Sequence, residues 1–186
     1  MSIFTFGRNS LIFTGLIILL NACAPSATDD NVTPTTPPNV GESNSVHLTL
    51  GNPSNAQTDI NTPTNYLIEK EEFVLSYNRD RGLANWVSWH LDLTWRGSAG
   101  RQDDFRPDTQ VPEEWYRVTQ NDYRSSGFDR GHICPSADRT RSVSVNSATF
   151  VMTNMMPQAP NNNRETWRLL EEYSRDLLDQ GNELYI

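Results

Sequence analysis

Four consecutive residues, Asp129-Arg130-Gly131-His132, set a carboxylate, a guanidinium, a position without a side chain and an imidazole next to one another. An imidazole titrates near 6.5 and can take or give a proton at neutral pH. An arginine fork matches the oxygens of a phosphate or a carboxylate. A polar surface turn can reach the same four residues by chance, with the histidine merely hydrogen-bonded in place. Cys134 follows two residues on, so a thiol nucleophile is a second chemistry to weigh. Further polar groups lie downstream in Thr153-Asn154-Met155-Met156-Pro157-Gln158, in Asn161-Asn162-Asn163, and at Trp167 and Glu171. Upstream, Arg101 opens the run Arg101-Gln102-Asp103-Asp104-Phe105-Arg106.

A folded domain must position these groups, and the chain can supply one. Its 186 residues with 36% hydrophobic content are enough for a single packed core. The net charge of −8 argues against a protein that coats DNA in general. The basic residues are lopsided, because Lys70 is the only lysine and all the others are arginines. Around the His132 motif the balance reverses, with Arg124, Arg130, Arg139 and Arg141 set against Asp129 and Asp138. Two cysteines exclude a disulfide scaffold and a cysteine-rich zinc site.

The amino-terminal part carries an address. Arg8 precedes the apolar run from Leu11 to Leu20, about half the roughly 20 residues that cross a bilayer as a helix, so it reads as an export signal. Leu20-Asn21-Ala22-Cys23 resembles a bacterial lipobox, with cleavage after residue 22 and a lipid on Cys23. Residues 23–46 are rich in Pro, Thr, Ser and Asn and predict a disordered tether. Residues 47–186 are left as the folded domain, and the protein is expected to be periplasmic, anchored to the outer membrane or extracellular.

Within that domain, Tyr66–Ile68 and Phe73–Tyr77 predict short strands. From Trp86 to Trp95 apolar and polar residues alternate, which predicts one half-buried strand with Val87, Trp89, Leu91, Leu93 and Trp95 inward. His90 falls on its polar face, and like His47 is expected to be structural or solvated. Residues 97–112 carry the turn chemistry of a long loop. Trp167, Leu170, Tyr173, Ser174, Leu177 and Leu178 recur at helical spacing, so a helix is expected over 163–180, with Gly181 as its stop.

Taken together, the ordered motifs resemble the DNA/RNA non-specific endonucleases, and among them the secreted cyanobacterial members. Asp129–His132 matches the family's Asp-Arg-Gly-His, Asn154–Gln158 its Asn-x-x-Pro-Gln, and Asn163 with Trp167 and Glu171 its metal-binding segment. The resemblance covers about residues 47–186. It implies an α+β fold, a mixed α/β domain containing a ββα-metal finger of the His-Me type. It implies a metal-dependent endonuclease acting on DNA and RNA without sequence specificity. It also implies that further strands and a helix follow the part seen here, so the domain is expected to be incomplete at its carboxy terminus.

The implied roles are physically sensible. His132 would be the general base that activates water, and a neighbouring carbonyl would fix its tautomer. Asn163 would offer one neutral oxygen to a mostly hydrated Mg²⁺, for which Mn²⁺ is a possible substitute. Glu171, two helical turns further along the same face, would accept hydrogen bonds from that ion's water. Arg101 and Arg130 would hold phosphate oxygens, and Asn154 would orient His132 or the water. Blander readings compete: Asn163 as a helix N-cap, Glu171 as one of many solvated acids, and Arg101 as a partner of Asp103 or Asp104, while Trp167 is expected in the core under either reading. Cys134 is expected to be a buried free thiol. An alternative for the whole protein is a catalytically inactive, envelope-anchored remnant that binds nucleic acid.

Overall fold

The computed structural model describes residues 44–186. The signal segment, Cys23 and most of the tether lie outside the described residues. The fold is mixed helix and strand, of the α+β kind.

Strands β1 (Tyr66–Glu69), β2 (Val74–Asn78) and β3 (Leu83–Ser88) form an antiparallel sheet in that order. Every residue of the central strand β2 is buried. On one face Leu75 and Tyr77 join Val111, Trp115, Leu178 and Leu184 in the main core, while on the other Val74 meets Leu48, Ala56 and Leu67. A strand covered on both faces needs no alternation, so its near-continuous apolar run marks burial rather than amphipathicity.

The segment from Trp86 to Trp95 departs from the single strand its alternation predicts. β3 stops at Ser88, and Trp89 exchanges main-chain hydrogen bonds of 2.9 and 3.0 Å with Ile186. β4 (His90–Leu91) then pairs with β7 (Leu184–Tyr185). The carboxylate of Asp92 accepts from the Thr94 main-chain N–H at 2.9 Å and starts a 3₁₀ turn over Leu93–Trp95, which leaves Leu93 exposed. An aspartate that captures a nearby N–H competes with the sheet ladder for the backbone, and here it wins. His90 and His47 are both buried and structural. His47 Nδ1 accepts from the His90 main chain and its Nε2 meets the Glu71 carbonyl, while the His90 ring stacks on Tyr185 and pairs with Glu183.

Beside this scaffold, β5 (Asp129–His132) and β6 (Met155–Gln158) form an antiparallel pair in which Gly131 lies opposite Met156. The Gln158 side chain crosses over Gly131, and a Cβ there would collide with it. The connection holds α1 (Val143–Ala148), whose amino end is capped by the Ser142 hydroxyl. After β6 a π-helical turn, Asn162–Trp167, runs into α2 (Arg168–Asp179), and Gly181 at φ 90° ends the helix. α2 buries Ser174 and Leu178 and leaves Tyr173 exposed. Two strands followed by a helix make the expected finger. Arg139 lies beneath the sheet at 0% exposure and donates to the carbonyls of Glu72, His90 and Asp138.

Candidate active site

The finger brings most of the sequence-predicted residues to one place. β5 carries Arg130 and His132 on alternate positions. His132 is 7% exposed and its ring packs edge-on to Phe150 at 4.7 Å, with Phe105 5.8 Å away on a tilted approach. Its Nε2 has no hydrogen-bond partner among the described residues. Burial, reinforced by the nearby guanidinium groups of Arg101 and Arg130, pushes the imidazole pKa down to about 3. The ring is therefore neutral at pH 7, with an unshared electron pair on one nitrogen. The expected carbonyl that would fix its tautomer is replaced by the two phenylalanine rings, so packing sets the ring's orientation.

The same two rings support the cations. The Arg130 guanidinium lies 4.0 Å over Phe105, and its Nη1 donates to Gln120 Oε1 at 3.2 Å. The Arg101 guanidinium lies 4.9 Å over Phe150, and it donates to Asp103 at 2.7 Å and to Ser136 Oγ at 3.1 Å. The Asp103 pairing anticipated as a bland alternative is real. It is an exposed pair worth little by itself, and it leaves further donors of the fork available.

Asn163 reaches the site from the helix. It is not an N-cap, because it sits inside the π-helical turn and its own N–H bonds to the Ala159 carbonyl. Its Nδ2 donates to Asp129 Oδ2 at 3.0 Å. Arg164 holds both oxygens of the same carboxylate at 2.8 Å. Those bonds, Arg164 first and then Asn163, hold Asp129 below the usual carboxylate range. With Nδ2 engaged, the amide's other polar atom is the carbonyl oxygen. Asp129 had a place in the motif but no assigned part, and the structure gives it one: it ties the helix to the first strand of the finger and turns Asn163.

Glu171 is half-buried near a narrow cleft formed by Trp89, Ile133, Pro135 and Trp167. Burial pushes its pKa up to about 7, against the pull of Arg175 and Arg101 and with the push of Asp138. It is thus unlike the solvated acids of its helix. Because Arg101 acts on both His132 and Glu171, the three share one electrostatic environment.

Asn154 lies elsewhere in the hydrogen-bond network. Its Oδ1 accepts from the Cys134 N–H at 2.9 Å, and its Nδ2 donates to the carbonyls of Cys134 and Thr149, each at 2.9 Å. Both amide hydrogens are spent on main chain, so the side chain fastens the segment after His132 rather than the imidazole itself. Cys134 is wholly buried, with its thiol pushed up to about 12 by burial, and is no nucleophile. Trp167 is only half-buried and borders an apolar groove, not the sealed core expected for it. Phe105, Phe150 and Arg164 were absent from the expected set, and no spacing rule points to them.

Residues 51–186 match the family described as DNA/RNA non-specific endonuclease. The chain belongs to that family. It is 54% identical over 171 residues to a nuclease of Nostoc sp., an alignment covering 92% of this chain and 61% of that protein. It is 40% identical over 123 residues to the mitochondrial endonuclease G of Homo sapiens, covering 64% of this chain and 41% of the relative. Its fold matches a chain in the crystal structure of the EndoG/EndoGI complex with a TM-score of 0.58 and 29% identity, covering 64% of this chain and 50% of that one. The chain thus spans about two-fifths to three-fifths of these relatives.

The donor set of this non-specific endonuclease family member suits a hard, hydrated cation. Among the described residues no three His, Cys, Asp or Glu side chains converge as a metal cage. Asn163 presents one neutral oxygen, turned by Asp129, on the helix that also carries Glu171. Mg²⁺ keeps most of its waters and needs few protein oxygens, so a sparse site of this kind fits it better than Zn²⁺.

Proposed function

We propose that this protein hydrolyses phosphodiester bonds of DNA and RNA without regard to sequence, with His132 taking a proton from the attacking water. The observation that carries this reading is His132 Nε2: buried, neutral and without a hydrogen-bond partner among the described residues, near two guanidinium groups held on phenylalanine rings. A neutral imidazole can accept a proton. A phosphate drawn in by Arg101 and Arg130 brings negative charge, which offsets their cations and raises the imidazole's basicity when substrate arrives. Asn163 and Glu171 would hold a divalent cation, Mg²⁺ or Mn²⁺, whose positive charge stabilises the leaving oxygen. Contacts made through phosphate rather than base edges explain indifference to sequence, and they predict strong dependence on salt.

The test is cleavage of supercoiled plasmid and of ribosomal RNA by the full chain, with Mg²⁺ and with EDTA. Nicking of both polymers that stops in EDTA is the expected result. Undiminished cleavage in EDTA would overturn the metal-dependent mechanism, and binding of both polymers without cleavage under any divalent ion would replace this reading with the inert binding remnant.

We also propose that the protein is exported and anchored through a lipid on Cys23, on the strength of the apolar run and the Leu20–Cys23 motif. Mass spectrometry of the membrane fraction would find a diacylglyceryl adduct on Cys23. Release of a Cys23→Ser variant into the soluble fraction would agree with it, and an unmodified Cys23 would exclude the anchor.

A further inference from the structure

Immediately before the finger, the chain builds a braced platform whose Gln120 steadies Arg130 but whose outer face the chemistry described above does not use. Residues Gln120–Tyr123 form a 3₁₀ turn closed by a reciprocal cap between Thr119 and Asp122. The Tyr116 hydroxyl donates to the Asp122 carboxylate at 2.8 Å, and the Tyr123 hydroxyl donates to the Met155 carbonyl of β6 at 3.3 Å. The next bend places Ser125 at φ 59° and Gly127 at φ 81°, both in the left-handed region. The Ser126 hydroxyl donates to the Tyr123 carbonyl at 2.8 Å and accepts from the Phe128 N–H at 3.1 Å. These bonds hold the loop in a shape that sends Phe128 outward.

Phe128 is 51% exposed, although it directly precedes Asp129 and Arg130 of the site. Its ring stacks on no other aromatic ring among the described residues. It borders an open polar pocket of about 380 Å³, whose walls include Asn121, Tyr123, Arg124 and Arg130. Arg124 is exposed and makes no salt bridge among the described residues. The one carboxylate on the pocket wall, Asp129, is already bound by Arg164, so the pocket's free charge is positive.

An aromatic face beside a free guanidinium, on a braced loop next to a phosphate site, has the chemistry of a stacking platform for single-stranded nucleic acid. We propose that this pocket is a subsite for one unstacked nucleotide flanking the cleaved bond, with its base on Phe128 and its phosphate on Arg124. The proposal rests on the endonuclease reading and names how that site holds its substrate. Every base has a π-face, so such a subsite adds affinity without adding sequence preference.

The experiment uses the full-length His132→Ala protein, which should hold a strand without cutting it, and a short fluorescent single-stranded DNA. Adding Phe128→Ala should weaken binding roughly 5- to 100-fold, and Phe128→Tyr should restore it. Because Phe128 is exposed, thermal unfolding should be the same in all three proteins. An abasic residue is then placed at each position of the strand in turn. With Phe128 present one position should show a large loss, and in Phe128→Ala that loss should vanish, because the base and the ring act as a pair. Binding that is unaffected by Phe128→Ala, or an abasic scan that is flat with Phe128 present, would overturn the subsite while leaving the endonuclease reading in place. Failure of the His132→Ala protein to bind either DNA or RNA would overturn both.

Discussion

Two regions of this molecule are built around arginine, and they use it in opposite ways. Beneath the sheet, Arg139 is fully buried, lies 4.3 Å over the Trp95 ring and donates to the carbonyls of Glu72, His90 and Asp138. Asp138 beside it accepts from Arg175 at 2.9 Å and from Trp89 Nε1 at 3.1 Å. At the finger, Arg130 and Arg101 also lie over aromatic rings, but with donors to spare and solvent within reach. A guanidinium with four bonds to main-chain carbonyls holds a fold together, whereas one with most of its donors to spare suits the phosphate-holding role proposed for it. The residue type is the same, and the count of its remaining donors separates the two functions.

The sharpest break in this contrast comes from His132, the proposed base, which those two arginines flank. His132→Ala should lower the cleavage rate by about 10²- to 10⁴-fold, the usual range for loss of a general base. The fold should survive, because the phenylalanine pair loses one packing neighbour and no hydrogen bond. Initial rates on plasmid and circular dichroism of the same sample check both halves. A rate within a few-fold of the parent would remove His132 from the mechanism.

Exchanging alanine for one arginine of each kind tests the contrast directly. Arg139→Ala strands the carbonyls of Glu72, His90 and Asp138. Leaving buried acceptors unpaired costs about 1–3 kcal/mol each, at least about 3 kcal/mol together. At about 2–4 °C per kcal/mol for a domain of this size, the melting temperature should fall by about 10 °C. Arg130→Ala should move it by no more than about 2 °C and yet lower the rate by about 10²-fold, as expected when one charge-stabilising donor is removed. If both variants lost stability alike, the division between holding the fold and holding the substrate would fail.

How far the sequence led follows the same division. The motifs that the resemblance rests on are local: Arg130 and His132 lie on one strand, and Asn163 and Glu171 lie on one helical segment. The α+β class was implied by the family resemblance, and the short strands followed from apolar runs. What escaped depends on distant parts of the chain. Phe105 and Phe150 meet His132 only after the long loop has folded, and Arg139 reaches Glu72 across 67 residues. The break after Ser88 escaped because its cause, pairing of β4 with β7, lies at the other end of the domain. Asn154 was misjudged for a related reason: its position in the motif says nothing about which carbonyls its amide will find.

Asp129 couples the two kinds of region, since it is bound like a structural carboxylate but acts on a proposed ligand. Asp129→Asn keeps the shape and weakens the hold of Arg164, so Asn163 should be less firmly turned. Replacement of such a supporting group typically costs 10- to 100-fold in metal affinity. The Mg²⁺ concentration for half-maximal cleavage should rise by about that factor, while the rate at saturating Mg²⁺ changes less. An unchanged Mg²⁺ midpoint would mean that Asp129 serves the fold alone.

The smallest effect concerns acidity, where burial shifts the two titratable groups of the proposed site in opposite directions. With a pKa near 3, His132 stays neutral from pH 8 down to pH 5 and contributes no step in activity there. Glu171 has a pKa near 7, so it gains a proton just below neutrality and loses the charge that favours a cation. Proton and Mg²⁺ then compete, and the Mg²⁺ midpoint should rise roughly eightfold between pH 7.5 and pH 6. High Mg²⁺ should draw the acid limb of the rate to lower pH, and Glu171→Gln should show a midpoint independent of pH. Stability follows the same titrations with the signs worked out. Protonated Glu171 favours the fold below its ordinary pKa of 4.5, and that contribution is lost as pH rises through 7. Neutral His132 disfavours the fold increasingly as pH falls from 6.5 towards 3, because the unfolded chain takes up the proton and the folded one does not. An acid limb that survived in Glu171→Gln would return the titration to His132 and show that its burial is relieved in solution.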